Sequence, residues 1–404
     1  MGNWSELQED LLVLIAKRIA LFEDFVSFGG VCRSWRLVAV KKNFKVSQQI
    51  PWLMLAEEEE TSSDERRFVS LTKCGMTCKA TLPEVKGKRC LESLGWFVTI
   101  SKDGEMNLLH PLSRVEIGLP HICTVKYYNE DRMKTNFIFI RKAVLSSSPS
   151  GSTKDGNYVV MVIYGGLGRL GFWRPGDKTW TTIEHPHSFD FEDITYYKDQ
   201  FYGTLDFEDI TYYKDQFYGV DSWGYVFACD IGGHNQTPAQ ARGVGGIPRG
   251  FVYSKRPYLV ELDGDLLIVV RDRLIGDPET YMYEPCSVDE TIEESKIGYG
   301  VKEFQVFKVD LCNEMEWAKI KSLGDYGLFV GDNASISVQA SKFPRIKADC
   351  IYYTDDCWRS YIHCKRGGGQ DMGIYNLEAG SRTTFYRGES FSTICPPIWV
   401  NPSF

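Results

Sequence analysis

Three groups of residues have the types and spacing that chemistry would need. The stretch GLGRLG at 166–171 follows the apolar run YVVMVIY at 158–164 and matches the glycine spacing of a dinucleotide-binding loop. That loop works only when a helix opens directly after it and turns free N–H groups towards a pyrophosphate. Here FWRPGDKTW follows, and Pro175 with Gly176 would break such a helix, so the glycines read as a turn between strands. Cys350, Cys357, His363 and Cys364 are zinc-ligand types, but structural zinc sites favour tight Cys-x-x-Cys pairs. As strand neighbours, His363 and Cys364 would also face opposite sides. Cys74 and Cys78 lack a second pair, and none of the six histidines accompanies a Gly-x-Ser-x-Gly turn. Acidic pairs such as Asp355-Asp356 are what an acidic chain produces by chance. These residues imply no catalytic centre, no metal and no cofactor; the expectation is a protein that binds and does not catalyse.

Composition sets the bounds on what is bound. The chain has 404 residues, 43% hydrophobic and 25% charged, enough to bury a large core. Residues 1–50 carry seven Lys/Arg against five Asp/Glu, and the rest carry 39 against 49. An acidic body disfavours a nucleic-acid partner. The absence of a long apolar run disfavours a membrane span. Acids stand at the N-terminus where the apolar core of a secretory leader would sit, so the 12 cysteines are expected reduced, in the nucleus and/or cytoplasm. KKNFK at 41–45 reads as a solvated helix end.

Two kinds of periodicity divide the chain. Within residues 1–46, Leu7, Leu11, Leu12, Ile15 and Ile19 fall on one helical face, Ser5 and Gln8 have the spacing of a capping box, and Phe22 and Phe25 begin a second short helix. Gly29-Gly30 ends it, and Val31, Cys32, Trp35, Val38 and Ala39 mark a third. Three such helices bury too little surface to stand alone and call for a partner. From 47 to 404 the period becomes that of strands: alternating stretches end in Gly, Asp or Pro, among them the Asp263-Gly264 turn. Strand–turn modules at intervals of about 50 residues predict a β-propeller of six or seven blades.

These residues resemble two families in tandem. Leu7, Asp10, Leu11, Leu12, Ile15, Arg18, Ile19 and VCRSWR at 31–36 resemble the F-box, with Gln8 where that family usually has proline. The modules that follow are similar to the KIB-type β-propeller of plant F-box proteins, through GW at 95–96, HPLSR at 110–114, WRPGDKTW at 173–180, FYGVDSWGYV at 217–226, YLVELDGDLLIVVR at 258–271 and CPPIWVNPS at 395–403. The resemblance implies a mainly β protein, an F-box of three short helices followed by the propeller. It also implies a role as the substrate receptor of an SCF-type (Skp–cullin–F-box) ubiquitin ligase. Leu7, Leu11, Leu12, Ile15, Ile19, Phe22 and Phe25 would then contact a Skp-family adaptor, and through it a cullin, while Val31 and Trp35 hold the helices together. The propeller would capture an unidentified target, with Arg271, Asp272, Arg273, Trp223 and Trp358 as candidate contacts. A propeller scaffold that sequesters its partner without a ligase is the alternative.

One feature belongs to neither pattern. DFEDITYYKDQFYG occurs at 190–203 and again, unchanged, at 206–219. The repeat is too short for a blade and corresponds to one hairpin. Its offset of sixteen (Phe191 to Phe207) is even, so either copy presents the same faces to a sheet. The second copy runs straight into the next strands, so it is expected to fill the blade while the first lies outside.

Overall fold

The computed structural model describes residues 4–44, 49–57, 64–72, 77–126, 128, 139–149, 156–165, 168–183, 195–197, 200–202, 207–232, 239–251, 255–275, 299–311, 316–356, 368–369, 371–386, 388 and 390–402. Helices α1 (Glu9–Ala16), α2 (Phe22–Gly29) and α3 (Arg33–Val38) come first. Gln8, where the capping box would place its second partner, is itself the α1 N-cap and makes no side-chain capping bond, and Ser5 belongs to a short 3-10 turn, Trp4–Glu6. Leu12, Ala16, Phe22, Phe25, Phe28 and Val38 make the helical core.

Six sheets of four or five strands follow among the described residues, giving six blades. Blade 1 has β1 (Trp52–Met54), β2 (Glu65–Val69) and β3 (Thr77–Thr81). Blade 2 has β4 (Arg89–Ser93), β5 (Trp96–Ile100), β6 (Met106–Leu109) and β7 (Glu116–Gly118). Blade 3 has β8 (Ile140–Leu145), β9 (Val160–Tyr164), β10 (Arg169–Trp173) and β11 (Thr181–Thr182). A separate two-stranded hairpin, β12 (Thr195–Tyr197) with β13 (Gln200–Tyr202), precedes blade 4. Blade 4 has β14 (Phe207–Tyr213), β15 (Gln216–Asp221), β16 (Tyr225–Asp230) and β17 (Gln240–Gly246). The second copy of the repeat thus builds the inner hairpin of blade 4, and the first stays outside it. Blade 5 has β18 (Arg256–Leu262), β19 (Asp265–Ile275), β20 (Tyr299–Val309) and β21 (Trp317–Ile320). Arg169, Leu170 and Gly171 of GLGRLG already lie in β10, paired antiparallel with β9, so no helix opens after the glycines.

Blade 6 breaks the up-and-down order. Its strands β22 (Tyr326–Val330), β23 (Ser335–Gln339), β24 (Cys350–Tyr353), β25 (Gly373–Asn376) and β26 (Ser381–Thr383) lie in the order β23-β22-β24-β25-β26, with β22 and β24 parallel. The chain enters at the second position, turns back to build the inner strand, and crosses to the third. β27 (Ile398–Val400) then pairs with β1 as the inner strand of blade 1 and closes the ring.

The core is not one mass but six layers, one between each pair of neighbouring blades. Val160, Val162 and Tyr164 of β9 pack towards blade 2, while Met161 and Ile163 pack towards blade 4. Both faces of such a strand are covered, so it reads as an unbroken apolar run. The same alternation sets Leu266, Ile268 and Val270 against blade 4, and Leu267 and Val269 against blade 6. Flat rings fill these layers, which accounts for the 14% aromatic content.

Gly246 shows how close the backbones come. Its φ is +153°, and an added Cβ would lie 2.5 Å from the Gly224 carbonyl oxygen and 2.9 Å from the Tyr225 Cα, both main-chain atoms that cannot rotate away. Gly246→Ala is expected to cost about 2–3 kcal/mol of stability in urea titration, against a near-neutral Gly250→Ala, where φ is ordinary and nothing lies within 4 Å of the added Cβ.

Candidate functional site

Two surfaces and a buried network stand out. The first surface is helical. Leu11 is 45% exposed, Leu14 and Ile15 lie beside it on α1, and Val31 and Leu37 are 57% and 71% exposed near α3. Leu7 and Ile19 are half-buried. Leu12, Phe22 and Phe25, expected as adaptor contacts, are instead core residues of the helical unit and present nothing to a partner. Val31, expected to hold the helices together, is exposed, while Trp35 does pack inside, its ring 4.6 Å from that of Phe28. Strict i, i+4 spacing marks a face but does not say whether that face points to core or solvent.

This unit is fixed to blade 1. Ser70 Oγ donates to Glu23 Oε2 at 2.7 Å, and Thr72 Oγ1 donates to Glu23 Oε1. Gln49 accepts from the Phe22 N–H at 2.8 Å and donates to the Ala20 carbonyl at 2.9 Å. The Phe22 and Trp52 rings meet at 6.1 Å. Orientation is thus held by polar bonds that each need a defined geometry.

The second surface is a cleft of about 870 Å³ between blades 4 and 5. The β14–β15 turn supplies Tyr213 and Lys214, the β18–β19 turn supplies Asp265, and the end of β20 with β21 supplies Lys308, Asp310 and Trp317. Tyr213 donates to the Gly264 carbonyl at 2.6 Å, tying the two turns together. Trp317 is 38% exposed and is braced by Phe251 and Phe307, with ring centroids at 5.2 and 5.9 Å. A supported, partly exposed tryptophan is a frequent anchor for a protein partner.

The network lies on the propeller axis. Lys142 donates to Asp209, and to Ser335 Oγ at 3.1 Å. Asp209 also accepts from the Leu259 N–H at 2.6 Å. Arg89 pairs with Asp332 at 2.6 Å, and Arg256 with Glu208 and Asp356. Arg271 pairs with Asp356 at 2.9 Å and Asp371 at 2.6 Å. Asn333, itself buried, accepts from the Ala143 N–H and donates to the Ala143 and Glu92 carbonyls. Bulges aim the charges: each of β8 and β14 carries one extra residue, Arg141 and Glu208, which lets consecutive residues face inward. Burial lowers the Lys142 pKa even against Asp209, and raises that of Asp332 even against Arg89. In both, desolvation outweighs the partner. The carboxylates Glu208 and Asp356 together hold Arg256 firmly protonated despite its burial.

Arg271, expected as a target contact, is therefore an interior ion-pair residue, 1% exposed. Asp272 pairs with Lys255 at 3.2 Å and Trp223 is half-buried in the β15–β16 turn, each at the opposite end of its strand from the cleft. The Arg273 side chain and Trp358 lie outside the described residues, as do Cys357, His363 and Cys364. Among the described residues no three metal-ligand types come together. Sequence reasoning missed the network, although a signal was there: RCLES, IRKAVL, FEDITYY and RPYLVEL each begin an inner strand with charge amid apolar residues.

Glu92 is the uncompensated member of this region. Burial pushes its carboxyl up to about 7, while the Gly95 N–H, donating at 2.8 Å, pulls the other way. The folded chain holds this proton more tightly than the unfolded chain, so stability falls as pH rises from the ordinary glutamate range through 7. Glu92→Gln removes that penalty. The variant is expected to match the parent near pH 4.5 and to exceed it at pH 8 by about 3 kcal/mol, read by denaturant titration at both values.

Residues 68–376 match the KIB1-4 beta-propeller family. Three proteins of Arabidopsis thaliana are similar to nearly the whole chain. F-box protein At2g26160 is 25% identical over 90% of this chain and 98% of its own. F-box protein SKIP23 is 21% identical over 99% and 96%, and F-box protein At2g17036 is 22% identical over 100% and 96%. With three helices ahead of a closed six-bladed ring, a family match across most of that ring and relatives of the same layout, the chain belongs to the KIB1-4 beta-propeller family as a plant-type F-box protein.

Proposed function

We propose that the chain is the substrate-recognition subunit of an SCF-type ubiquitin ligase. The helical face of Leu11, Leu14 and Ile15 docks on a Skp-family adaptor, which connects to a cullin, and the cleft beside Trp317 receives the target. The observation that carries this reading is the coexistence of an uncovered apolar face on a unit too small to stand alone, and its fixed attachment to the propeller through Glu23 and Gln49. Chemistry is left to other subunits. This chain supplies geometry: it holds a target lysine near a charged conjugating enzyme and raises its effective concentration. A loose joint between helices and propeller would dilute that gain, and the buried bonds at the joint suit the role.

The test separates the two surfaces. Leu11→Asp with Leu14→Asp is expected to weaken adaptor binding about 30-fold or more in a purified pull-down, leaving target binding intact. Trp317→Ala is expected to do the reverse. Adaptor binding that ignores the double substitution would sink the docking assignment. A target whose level in cells does not respond to proteasome inhibition would favour a sequestering scaffold.

A further inference from the structure

The ring has a mouth on its axis, and the fold does not account for all that lines it. A cavity of about 210 Å³ opens against the buried network, towards the C-terminal ends of five inner strands and the start of β23. Each blade supplies a residue: Glu92 from β4, Lys142 from β8, Tyr212 from β14, Glu261 from β18, Ser335 from β23 and Asn401 just past β27. The cleft beside Trp317 adjoins it, since Tyr213 follows Tyr212 on β14 and the Gly264-Asp265 corner follows Glu261.

Three features of the mouth cost stability or leave bonding capacity unused. Glu92 is 5% exposed and lines the cavity, and among the described residues no cation pairs with it. It accepts from the Gly95 N–H at 2.8 Å and from the Asn401 N–H, bonds that a glutamine would accept equally. Holding the turn therefore needs no carboxylate, and burying one weakens the fold at neutral pH and above. Asn401 Oδ1 is buried in the same wall with no donor among the described residues. Leu94, at the rim, is 45% exposed at φ +52°, in a turn position that suits asparagine or glycine. Polar groups that converge on a cavity, and that the fold leaves unused, mark a binding site.

Glu92 and Asn401 both call for a donor, and only a cation answers the charge. Lys142, the cation that shares the cavity, is already bound to Asp209 and Ser335. Glu261 is exposed at the rim and adds negative charge there. We propose that the mouth takes a lysine side chain of a partner protein, its ammonium on the Glu92 carboxylate and Asn401 Oδ1 and its aliphatic stem along Leu94, Ile336 and the Tyr212 ring. A straight four-carbon stem carries a compact charge to the depth of a narrow cavity, and three N–H donors suit acceptors that come from separate strands. That the partner is a ligase target rests on the proposed function; the ammonium site itself does not.

Isothermal titration of the full chain with Nα-acetyl-lysine methylamide tests the site. A ligand of that size is expected to bind with a Kd of about 1 mM at pH 8. Its Nε-acetylated form, which has lost the charge, is expected not to bind at about 10 mM. Glu92→Gln is expected to weaken binding about tenfold or more. That variant is the more stable chain at pH 8, so its loss of binding is not a loss of folding. Asn401→Ala is expected to weaken binding about threefold, and Trp317→Ala to leave it unchanged. Glu92 titrates near 7 while the ligand stays charged, so affinity is expected to rise about tenfold from pH 6 to pH 8. The rise should vanish in Glu92→Gln. Lys142, Tyr212 and Glu261 face Glu92 across the mouth, with Asp209 and Asp332 behind them; all are retained in that variant, so a pH dependence of their making would survive it. No binding of the lysine derivative at about 10 mM, equal binding of its Nε-acetylated form, or full affinity in Glu92→Gln overturns the proposal. Tighter binding of free diaminobutane than of the lysine derivative gives the site to a small amine and overturns the protein side chain. Leu11→Asp with Leu14→Asp removes adaptor binding without touching the mouth, so failure of the ligase reading and failure of this one are told apart.

Discussion

Six inner strands converge on one axis, and four of them deliver charge to it: Arg89 from β4, Lys142 from β8, Asp209 from β14 and Arg256 from β18, answered by Asp332 and Ser335 at the turn and start of β23. A charge buried there has no water to fall back on, so each must meet its partner from another blade. Such pairs contribute little net stability, because the desolvation they suffer is comparable to the attraction they gain. What they set is order. Lys142 placed against anything but Asp209 leaves two buried charges unpaired, at a cost of about 3–5 kcal/mol. The interblade layers, by contrast, are apolar and interchangeable in kind. The axis therefore fixes which blade stands beside which, and the layers supply the burial that makes the ring worth closing.

Ring closure and the placing of the helices both inherit that constraint. Blade 6 folds back on itself so that Asp332, Asn333 and Ser335 reach the axis from a single corner and bind blades 2, 3 and 4 at once. Without that reversal β23 would sit at the rim and Asp332 would not reach Arg89. β27 then completes blade 1, the blade on which the helices rest through Glu23, Ser70 and Thr72. The helical unit is thus oriented against a blade whose inner strand comes from the other end of the chain. The exposed helical face is therefore oriented by a blade that ring closure completes.

The blades were legible because their signals are local. Turn glycines, the Asp263-Gly264 hairpin and two-residue alternation do not depend on what lies across the ring. The helical motif was legible too, through Leu11 and Ile15. What failed was the sense of each face. Leu12, Phe22 and Phe25 share spacing with exposed neighbours, and only the packed unit shows them inside. Arg271 looked like a surface contact because arginine after an apolar strand usually is one; its carboxylate partners Asp356 and Asp371 come from blade 6, about a hundred residues away in sequence. Trp317 escaped notice because its support by Phe251 and Phe307 is likewise tertiary. Bulges compound the difficulty: strict alternation would send Glu208 and Asp209 to opposite faces, and one inserted residue brings both to the axis.

The repeat shows what this architecture tolerates. An insertion of odd length into an inner strand would invert every side chain beyond it and drive Ile210 or Asp209 into the wrong layer. An even insertion that also duplicates the charged pair does neither, because every slot finds a residue of the right kind. The extra length then falls between blades 3 and 4, and each doubling of the length of a flexible connection costs only about 0.6 kcal/mol. The ring therefore constrains the identity of what enters the axis far more than the length of what joins one blade to the next.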